Sequence, residues 1–318
     1  MNEILFLKGV FKENIWGGNR LESIFNYSIP YNNTGEYWAV SAHEYGDCVV
    51  SDGIFKGMKL SSLWSKHKEL FGNIEGDKFP LLVKIIDAKE DLSIQVHPSD
   101  EYAYKYENGS LGKTECWYIV DCDENAKIVV GHNAKNKEEL KNMISKGDWS
   151  DLIREVPIKV GDFFQIDHGT IHAIKGGSMV LEIQQSSDIT YRLYDYDRKQ
   201  NGKLRELHIE KSIDVIKSPY IPCNMDFKIK ISEGYIEKVL IECEYYSVKY
   251  LKLGKDGIIE NVTKRKNMPF EIVSVISGEG SINGISIKKG VHFIITSLIK
   301  EYVLTGDMEI IISTVGNN

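Results

Sequence analysis

Short runs rich in Ile, Val, Tyr and Phe recur along the chain, separated by clusters of Gly, Asp and Asn. Runs of this kind are typical of β-strands bounded by turns. In the first two thirds of the chain they predict strands at Leu81–Asp87, Leu92–His97, Glu115–Val120, Lys127–Gly131, Asp162–Ile166, Met179–Gln185 and Thr190–Tyr194. In the last third they predict strands at Tyr246–Leu253, Phe270–Ile276, Val291–Ile295 and Met308–Thr314, with turns at Gly278-Glu279-Gly280 and Asn283-Gly284.

Helical patterns are few. The segment from Leu60 to Leu70 has one apolar face at helical spacing, and Asn136–Lys146 predicts a second helix ended by Gly147. A third helix is predicted at Leu204–Ile216, shortly before Pro219 and Pro222. A chain of 318 residues is long for one core, because single cores stop growing at about 250–300 residues. We therefore predict an all-β protein with a β-barrel carrying inserted helices over residues 1–222 and a smaller β-barrel over residues 223–318.

Charge and cysteine usage restrict the possible partners and location. The net charge of -7 argues against a general nucleic-acid or anionic-membrane binder, since both need basic surface. No stretch approaches the length of a membrane span or a signal peptide. The five cysteines form no CxxC pair and are odd in number, so we expect reduced thiols in a cytoplasmic protein.

Candidate chemistry begins in the strand predicted at Leu92–His97. Side chains alternate along a strand, so Ser93, Gln95 and His97 share one face. That polar face either meets water or lines the lumen of a barrel. Farther along, Glu115 is a charged residue at the head of a strongly apolar strand.

The segment from Gly161 to His172 has the spacing of the second cupin motif: a glycine, five residues, a turn ending in glycine, two residues and a histidine. It departs from the motif at Asp167, where proline is usual. In that fold the final histidine points at a metal. Two imidazoles and a carboxylate suit zinc, and three strong ligands with an open position characterise catalytic sites. The candidate ligands are His97, Glu115 and His172, with the amide of Gln95 as a weaker fourth.

At this point the sequence resembles the zinc-dependent mannose-6-phosphate isomerases of the cupin superfamily, in their compact bacterial form. The resemblance spans the whole chain. The matching segments are Asn14-Ile15-Trp16-Gly17-Gly18, Ser93-Ile94-Gln95-Val96-His97-Pro98, Gly112-Lys113-Thr114-Glu115-Cys116-Trp117, His168-Gly169-Thr170-Ile171-His172-Ala173, Leu181-Glu182-Ile183-Gln184-Gln185 and Tyr191-Arg192-Leu193-Tyr194-Asp195-Tyr196-Asp197-Arg198.

The resemblance implies two cupin modules and the reversible isomerisation of mannose 6-phosphate and fructose 6-phosphate, with Zn²⁺ bound once per chain. It also implies that His97, Glu115 and His172 bind the metal with Gln95, and that Arg192 is the active-site arginine. Lys113 is expected to meet the substrate phosphate as a point charge. The second module, residues 223–318, is expected to lack metal ligands, because no histidine stands there at the position that corresponds to His172.

Glu182 and Arg192 are further catalytic candidates. The residues Ser186-Ser187-Asp188-Ile189 read as a hairpin turn, which would make Glu182 and Arg192 cross-strand partners on one face. The alternative is a plain surface ion pair. The group that moves the proton stays open among Glu182, a metal-bound water and a histidine.

Two other functions remain possible from sequence. Two histidines and a carboxylate also form the site of iron oxygenases, and a cupin can bind sugars without catalysis. Against the first, His97 and Glu115 are far apart in sequence, whereas oxygenases usually carry both on one strand. Against the second, the chain carries Arg192, Glu182 and Lys113 together with all the ligands. Whether the chain is a monomer or a homodimer is left open.

Overall fold

A computed structural model describes residues 4–254, 257–263 and 269–316, and most of its regular structure is β. The first elements are β1 (Ile4–Lys8), β2 (Val10–Gly18), α1 (Arg20–Phe25), β3 (Thr34–Val40), β4 (Ala42–His43), β5 (Gly46–Asp47), β6 (Val49–Val50), α2 (Leu60–Lys66), a 3₁₀ helix (Lys68–Phe71), β7 (Leu81–Ala88), β8 (Ile94–Val96), α3 (Asp100–Tyr106) and β9 (Glu115–Cys122).

The central part of the chain continues this pattern. Its elements are β10 (Lys127–His132), α4 (Lys137–Lys146), α5 (Trp149–Leu152), β11 (Ile153–Pro157), β12 (Phe163–Ile166), β13 (His172–Ile174), β14 (Ser178–Gln185), β15 (Tyr191–Tyr194), β16 (Lys199–Gln200), β17 (Lys203–Leu204) and α6 (Ile209–Val215). The last third contains only strands among its described elements. They are β18 (Lys228–Ser232), β19 (Tyr235–Glu242), β20 (Tyr246–Leu253), β21 (Ile258–Thr263), β22 (Glu271–Ile282), β23 (Ile285–Lys288), β24 (His292–Ile295) and β25 (Glu301–Val315).

Two antiparallel sheets carry the candidate site. One has the strand order β12-β9-β14-β7-β2-β3, and the other has the order β11-β10-β13-β8-β15. Every residue of β7 and of β14 is buried, which explains why these strands read as nearly continuous apolar runs rather than alternating ones. Polar residues inside such strands are therefore enclosed in the protein.

A third sheet is formed mainly by the last third of the chain. Its main path is β18-β19-β20-β25-β22-β24-β1-β6, with β21 on β25 and β23 on β22. The first strand of the chain thus lies in this sheet, where Leu5 pairs with Ile294. The domain boundary after residue 222 stays a prediction, but the strand pairing shows that β1 packs with the later residues.

The core crosses the predicted boundary as well. Phe270, which precedes β22, is fully buried against aromatic residues from the first part of the chain. Its ring centroid lies 5.6 Å from that of Phe71 and 5.4 Å from that of Phe79. One hydrophobic cluster therefore contains residues from both ends of the sequence.

A helix is present at each of the three predicted places, but the third was predicted too long. Helix α4 begins after Asn136, whose side chain accepts a hydrogen bond from the backbone N–H of Glu139, and ends at Gly147 in the left-handed region. The third helix is shorter than the predicted Leu204–Ile216. It spans Ile209–Val215, because Lys203–Leu204 instead pairs with Lys199–Gln200 in a small hairpin.

One of the two predicted turns is also wrong. Asn283 and Gly284 do form a tight turn between β22 and β23, with φ values of 50° and 76°. Gly278-Glu279-Gly280 lies instead inside β22, paired with β25. A Cβ added at Gly278 would lie 2.0 Å from the carbonyl oxygen of Asp307, so these glycines permit a close approach of two strands rather than a reversal of the chain.

The cysteines and the helices bear on the predicted redox state and on membrane spanning. All five cysteines are free thiols in the structure, as the sequence predicted. Within the described residues, no helix combines the length and apolar character needed to cross a membrane.

Candidate active site

The strands of two sheets bring His97, Glu115 and His172 together. His97 follows β8, Glu115 begins β9 and His172 begins β13. One possible ligand atom from each residue lies within 4.8 Å of the other two, and all three side chains are buried. The Nε2 atoms of the two histidines are 3.1 Å apart. Each is 3.5 Å from an oxygen of the Glu115 carboxylate.

Backbone carbonyl groups fix the tautomer of both histidines. His97 Nδ1 lies 2.8 Å from the carbonyl oxygen of Ile189, and His172 Nδ1 lies 2.9 Å from that of Thr170. A carbonyl oxygen only accepts hydrogen bonds, so each Nδ1 carries the proton and each Nε2 presents a lone pair. Carbonyl or carboxylate partners of this kind are the usual support of metal-binding histidines.

The protonation states of the three residues also suit a cation. Burial and then the charge of Lys113 lower the pKa of His97 to about 3. Burial likewise lowers the pKa of His172. Burial alone would raise the pKa of Glu115, but the charge of Lys113 and the interactions with His97 and His172 together outweigh burial and lower that pKa. Two neutral imidazoles and an ionised carboxylate are the forms that bind metal.

Unsatisfied atoms in the triad support the same interpretation. The Nε2 atoms of His97 and His172 lie 3.1 Å apart and both present lone pairs. While both rings are neutral, neither Nε2 carries a proton that it could donate to the other, so the two lone pairs repel. Glu115 Oε1 is buried and has no hydrogen-bond partner among the described residues. Buried polar groups are nearly always paired, so the donor set fits a divalent cation placed between these atoms.

Gln95 is positioned to complete this group. It is the cross-strand partner of His172 on one side and of Arg192 on the other. Its Nε2 lies 3.2 Å from His172 Nε2. Exchanging the amide oxygen and nitrogen by a half-turn would direct the oxygen at the same point, as a fourth ligand requires.

A buried network of charges adjoins the triad. Lys113 Nζ lies 2.7 Å from Glu115 Oε2 and 3.7 Å from Glu182 Oε1. Lys84 Nζ lies 3.3 Å from the same Glu182 oxygen. Trp117 Nε1 donates a hydrogen bond of 3.0 Å to the other oxygen of Glu182. Burial and then the charge of Glu115 raise the pKa of Glu182, although the two lysines oppose the shift.

A cavity of about 200 Å³ lies against this network. Gln95 and Lys113 line it, so the triad lies directly behind its wall. It is lined by residues of both sheets and of adjacent segments, namely Asn14, Trp16, Glu36, Trp38, Lys84, Ile86, Leu92, Ser93, Gln95, Lys113, Trp117, Ile174, Glu182, Asp188, Thr190, Arg192 and Arg205.

The predicted hairpin between Glu182 and Arg192 is wrong. Glu182 pairs with Lys84 and Trp117 in one sheet, whereas Arg192 pairs with Gln95 in the other. The intervening residues cross from sheet to sheet instead of reversing within one. Both side chains nevertheless line the same cavity, from opposite sheets. The plain surface ion pair is excluded as well, since no salt bridge joins these two described residues.

Several residues of the cavity wall were not predicted from the sequence. Lys84 was missed, although a single lysine within the apolar run Leu81–Ala88 was the available signal. Trp38 and Glu36 were also missed, and the indole N–H of Trp38 donates to the Glu36 carboxylate at 2.5 Å. Arg205 lies in a region that was read as the start of a helix, and its guanidinium is held on both oxygens of Asp195.

Comparison with known proteins identifies the family. Residues 4–125 match the catalytic domain of type I phosphomannose isomerases, and residues 236–315 match the cupin domain of mannose-6-phosphate isomerases. The chain is 52% identical over 316 residues to mannose-6-phosphate isomerase ManA of Bacillus subtilis (strain 168), with 98% of each chain covered. The chain belongs to the type I phosphomannose isomerase family. The family and the all-β cupin fold predicted from the sequence are thereby confirmed.

Further relatives agree over the full length. A mannose-6-phosphate isomerase of Streptococcus mutans is 47% identical over 318 residues, with 98% of each chain covered. The crystal structure of a Bacillus subtilis mannose 6-phosphate isomerase superposes with a TM-score of 0.93 at 45% identity, covering 98% of this chain and 99% of that one. The roles of individual residues in this chain stay predictions.

Proposed function

We propose that this protein interconverts mannose 6-phosphate and fructose 6-phosphate. The observation that carries the proposal is the buried group of His97, Glu115 and His172 behind a cavity lined by lysine and arginine side chains. The named relatives, at 47% to 52% identity, support the same substrates. A sugar phosphate is an anion, so a cavity with cationic walls suits it even though the chain is acidic overall.

We propose that one Zn²⁺ ion per chain is held by His97, Glu115 and His172, with Gln95 as fourth ligand. Nitrogen and carboxylate donors suit zinc. When bound there, it would act as a Lewis acid on the oxygens of the two substrate carbons that exchange the carbonyl group. All other contributions come from side chains of the protein.

Glu182 is the proposed base. In the proposed route, moving the carbonyl group from C1 to C2 removes a proton from C2 and returns it to C1 through a cis-enediolate, while the proton of the C2 hydroxyl passes to the oxygen on C1. The Glu182 carboxylate lies in the cavity wall, and one oxygen is held by the indole of Trp117, which leaves Oε1 beside Lys84 and Lys113. A carboxylate with a raised pKa is a better base. The two lysines place positive charge beside the enediolate oxygens.

The phosphate is assigned to the guanidinium group of Arg192. Lys113 was expected to meet it, but its ammonium group is already paired with Glu115 at 2.7 Å. Arg192 and Arg205 line the cavity, and Arg192 Nε has no hydrogen-bond partner among the described residues. A planar guanidinium offers two parallel donors to a phosphate. Arg192 would thus bind and orient the substrate.

A coupled assay tests the function directly. Purified protein loaded with zinc is supplied with mannose 6-phosphate, and fructose 6-phosphate formation is measured against protein stripped by a chelator. We expect turnover that disappears on stripping and returns with zinc. Absence of turnover in fully loaded, folded protein would contradict the proposed activity.

We also expect a cytoplasmic location, which the free thiols of all five cysteines support.

Solvent deuterium tests the proton-transfer route. A base exchanges its proton with water before returning it, whereas a hydride shift between neighbouring carbons keeps the hydrogen from solvent. In D2O we therefore expect deuterium at C1 of the fructose 6-phosphate formed, measured by NMR or mass spectrometry. Exchange is expected to be partial, because Glu182 is enclosed. Complete absence of deuterium after many turnovers in both directions would contradict the base and leave the isomerase activity intact.

A further inference from the structure

Two adjacent glutamines at the end of β14 have no part in the chemistry proposed above. Gln184 has no exposed surface and Gln185 is 6% exposed. Burial of an amide is unfavourable unless its hydrogen bonds are made within the protein. The hydrogen bonds of these two amides therefore indicate which segments of the chain they hold in place.

Gln185 holds the segment that leads into the ligand Glu115. Its Oε1 accepts the backbone N–H of Thr114 at 2.8 Å. Its Nε2 donates to both carboxylate oxygens of Asp100, at 3.0 and 3.2 Å. Asp100 in turn accepts the backbone N–H of Gly112 at 2.6 Å. The residues from Gly112 to Thr114 are thus fixed at two points immediately before Glu115.

Gln184 holds the segment that supports the ligand His97. Its Nε2 donates to the carbonyl oxygen of Ser187 at 2.5 Å and to that of Gln185 at 2.8 Å. The carbonyl oxygen of Ile189, two residues farther on, accepts the Nδ1 proton of His97 at 2.8 Å. A shift of the segment from Ser187 to Ile189 would therefore rotate the imidazole.

The two segments are also joined to each other. The hydroxyl of Ser187 donates to the carbonyl oxygen of Leu111 at 2.9 Å. The backbone N–H of Gln185 donates to the carbonyl oxygen of Thr114 at 3.1 Å. The support of His97 and the approach to Glu115 consequently form one hydrogen-bonded unit, and the two glutamine side chains lie at its centre.

We propose that Gln184 and Gln185 are positioning residues that set the relative placement of two metal ligands, His97 and Glu115. The inference rests on the proposed function in one respect, namely that the triad binds a metal. Outer partners of metal ligands control ligand orientation and hence affinity. Neither glutamine contacts the substrate cavity, so their effect is expected on the metal rather than on substrate binding.

Substitution by methionine tests the proposal, because methionine has nearly the shape of glutamine but donates no hydrogen bond. We expect Gln184→Met and Gln185→Met each to weaken zinc affinity by about 10–100-fold, measured by competition with a chromophoric chelator. The visible absorption of the Co²⁺-substituted protein should change in band position or intensity. The far-UV circular dichroism should remain that of the wild type.

Two controls separate positioning from general destabilisation. Gln200→Met makes the same substitution at an exposed position, and Ile310→Val trims a core residue in the sheet of the last third. Both should bind zinc and Co²⁺ as the wild type does, even where Ile310→Val lowers the midpoint of thermal unfolding. Glutamine variants that bind both metals like the wild type would overturn the proposal.

Ser187→Ala keeps the test decisive if a glutamine variant fails to fold. It removes the bond to Leu111 and the bond of 3.4 Å that the hydroxyl accepts from the backbone N–H of Ile189. We expect a several-fold loss of zinc affinity in a folded protein. Unchanged affinity and an unchanged Co²⁺ spectrum in Ser187→Ala would overturn the proposal. A wild-type protein that binds no divalent metal would overturn the inference and the proposed metal function together. Normal metal binding by the wild type, left unchanged by the substitutions as stated above, would overturn the inference alone.

Discussion

At the scale of single residues, the candidate metal site depends on three strong donors, which are two imidazoles and one carboxylate. His97 follows one strand, whereas Glu115 and His172 each begin another. The two histidines are supported by backbone carbonyl groups and Glu115 by the ammonium group of Lys113. Gln95 contributes at most an amide oxygen, which is a weaker donor. The four residues should therefore differ in how much each contributes to metal binding.

Alanine substitution tests this order. We expect His97→Ala, Glu115→Ala and His172→Ala each to lose metal and activity together, and Gln95→Ala to lose less of both. Metal content is measured by elemental analysis after dialysis, and turnover by the coupled assay. His132→Ala is a control, since that histidine is buried away from the triad and bonds to the carbonyl of Lys217. Full zinc content and normal turnover in His172→Ala would contradict the assignment.

Arg192 is expected to act on the substrate rather than on the metal. Lysine keeps its charge but loses the planar pair of donors, so Arg192→Lys should lower kcat/KM by about 10-fold or more. Zinc content and the unfolding midpoint should remain near wild-type values. Arg154→Lys is the matched control, because Arg154 bonds to the carbonyl of Val130 outside the cavity. Wild-type kinetics in Arg192→Lys would make Arg192 a structural residue.

Residue types and spacing predicted the triad, because imidazole and carboxylate side chains in a cupin-like order indicate a metal-binding site. Lys84 could not be predicted in the same way. Its role follows from Glu182, which is its neighbour across β7 and β14, and that pairing joins residues nearly a hundred positions apart. Glu36 and Arg205 were missed for the same reason, since the cavity is assembled by strand order and not by sequence proximity.

At the scale of elements, the wrong turn predictions lie where a turn-like local sequence is overridden by strand pairing between distant residues. The Ser186–Ile189 segment has the composition of a hairpin turn, yet it crosses between sheets, because β14 is already paired on both sides by β7 and β9. Gly278 and Gly280 carry a turn signal, yet β25 pairs with β22 along that whole stretch. Helix α4 was predicted correctly because its capping signals are local, with Asn136 directly before the helix and Gly147 directly after it.

The glycines of β22 and of the following turn should respond differently to substitution. Gly278 and Gly284 both have positive φ, of 73° and 76°, so alanine introduces similar backbone strain of about 1–2 kcal/mol at each. A Cβ at Gly284 meets nothing within 4 Å, whereas one at Gly278 lies 2.0 Å from the Asp307 oxygen. We expect Gly278→Ala to lose about 1–3 kcal/mol more stability than Gly284→Ala, measured by denaturant unfolding. Equal losses would mean that β22 and β25 separate without cost.

At the scale of the whole molecule, the first and last parts of the chain share a sheet and a core. Strand β1 pairs with β24, and Phe270 packs on Phe71 and Phe79. Neither part can lose its contacts without exposing apolar surface on the other. We infer that the chain unfolds in one cooperative transition, although residues 4–125 and 236–315 match separate family models.

Phe270→Ala tests that cooperativity. Removing a fully buried phenylalanine should cost about 3–5 kcal/mol. All five tryptophans precede residue 150, so tryptophan fluorescence reports only the part of the chain that lies before Phe270. We expect the variant to lower the unfolding midpoint by fluorescence and by far-UV circular dichroism to the same extent, since the shared core couples the two parts. Tyr104→Ala, at a 74% exposed position, should leave the free energy of unfolding measured by either signal within about 0.5 kcal/mol of the wild-type value. A fluorescence midpoint that stays at its wild-type value while circular dichroism shows an earlier transition would mean that the two parts unfold independently.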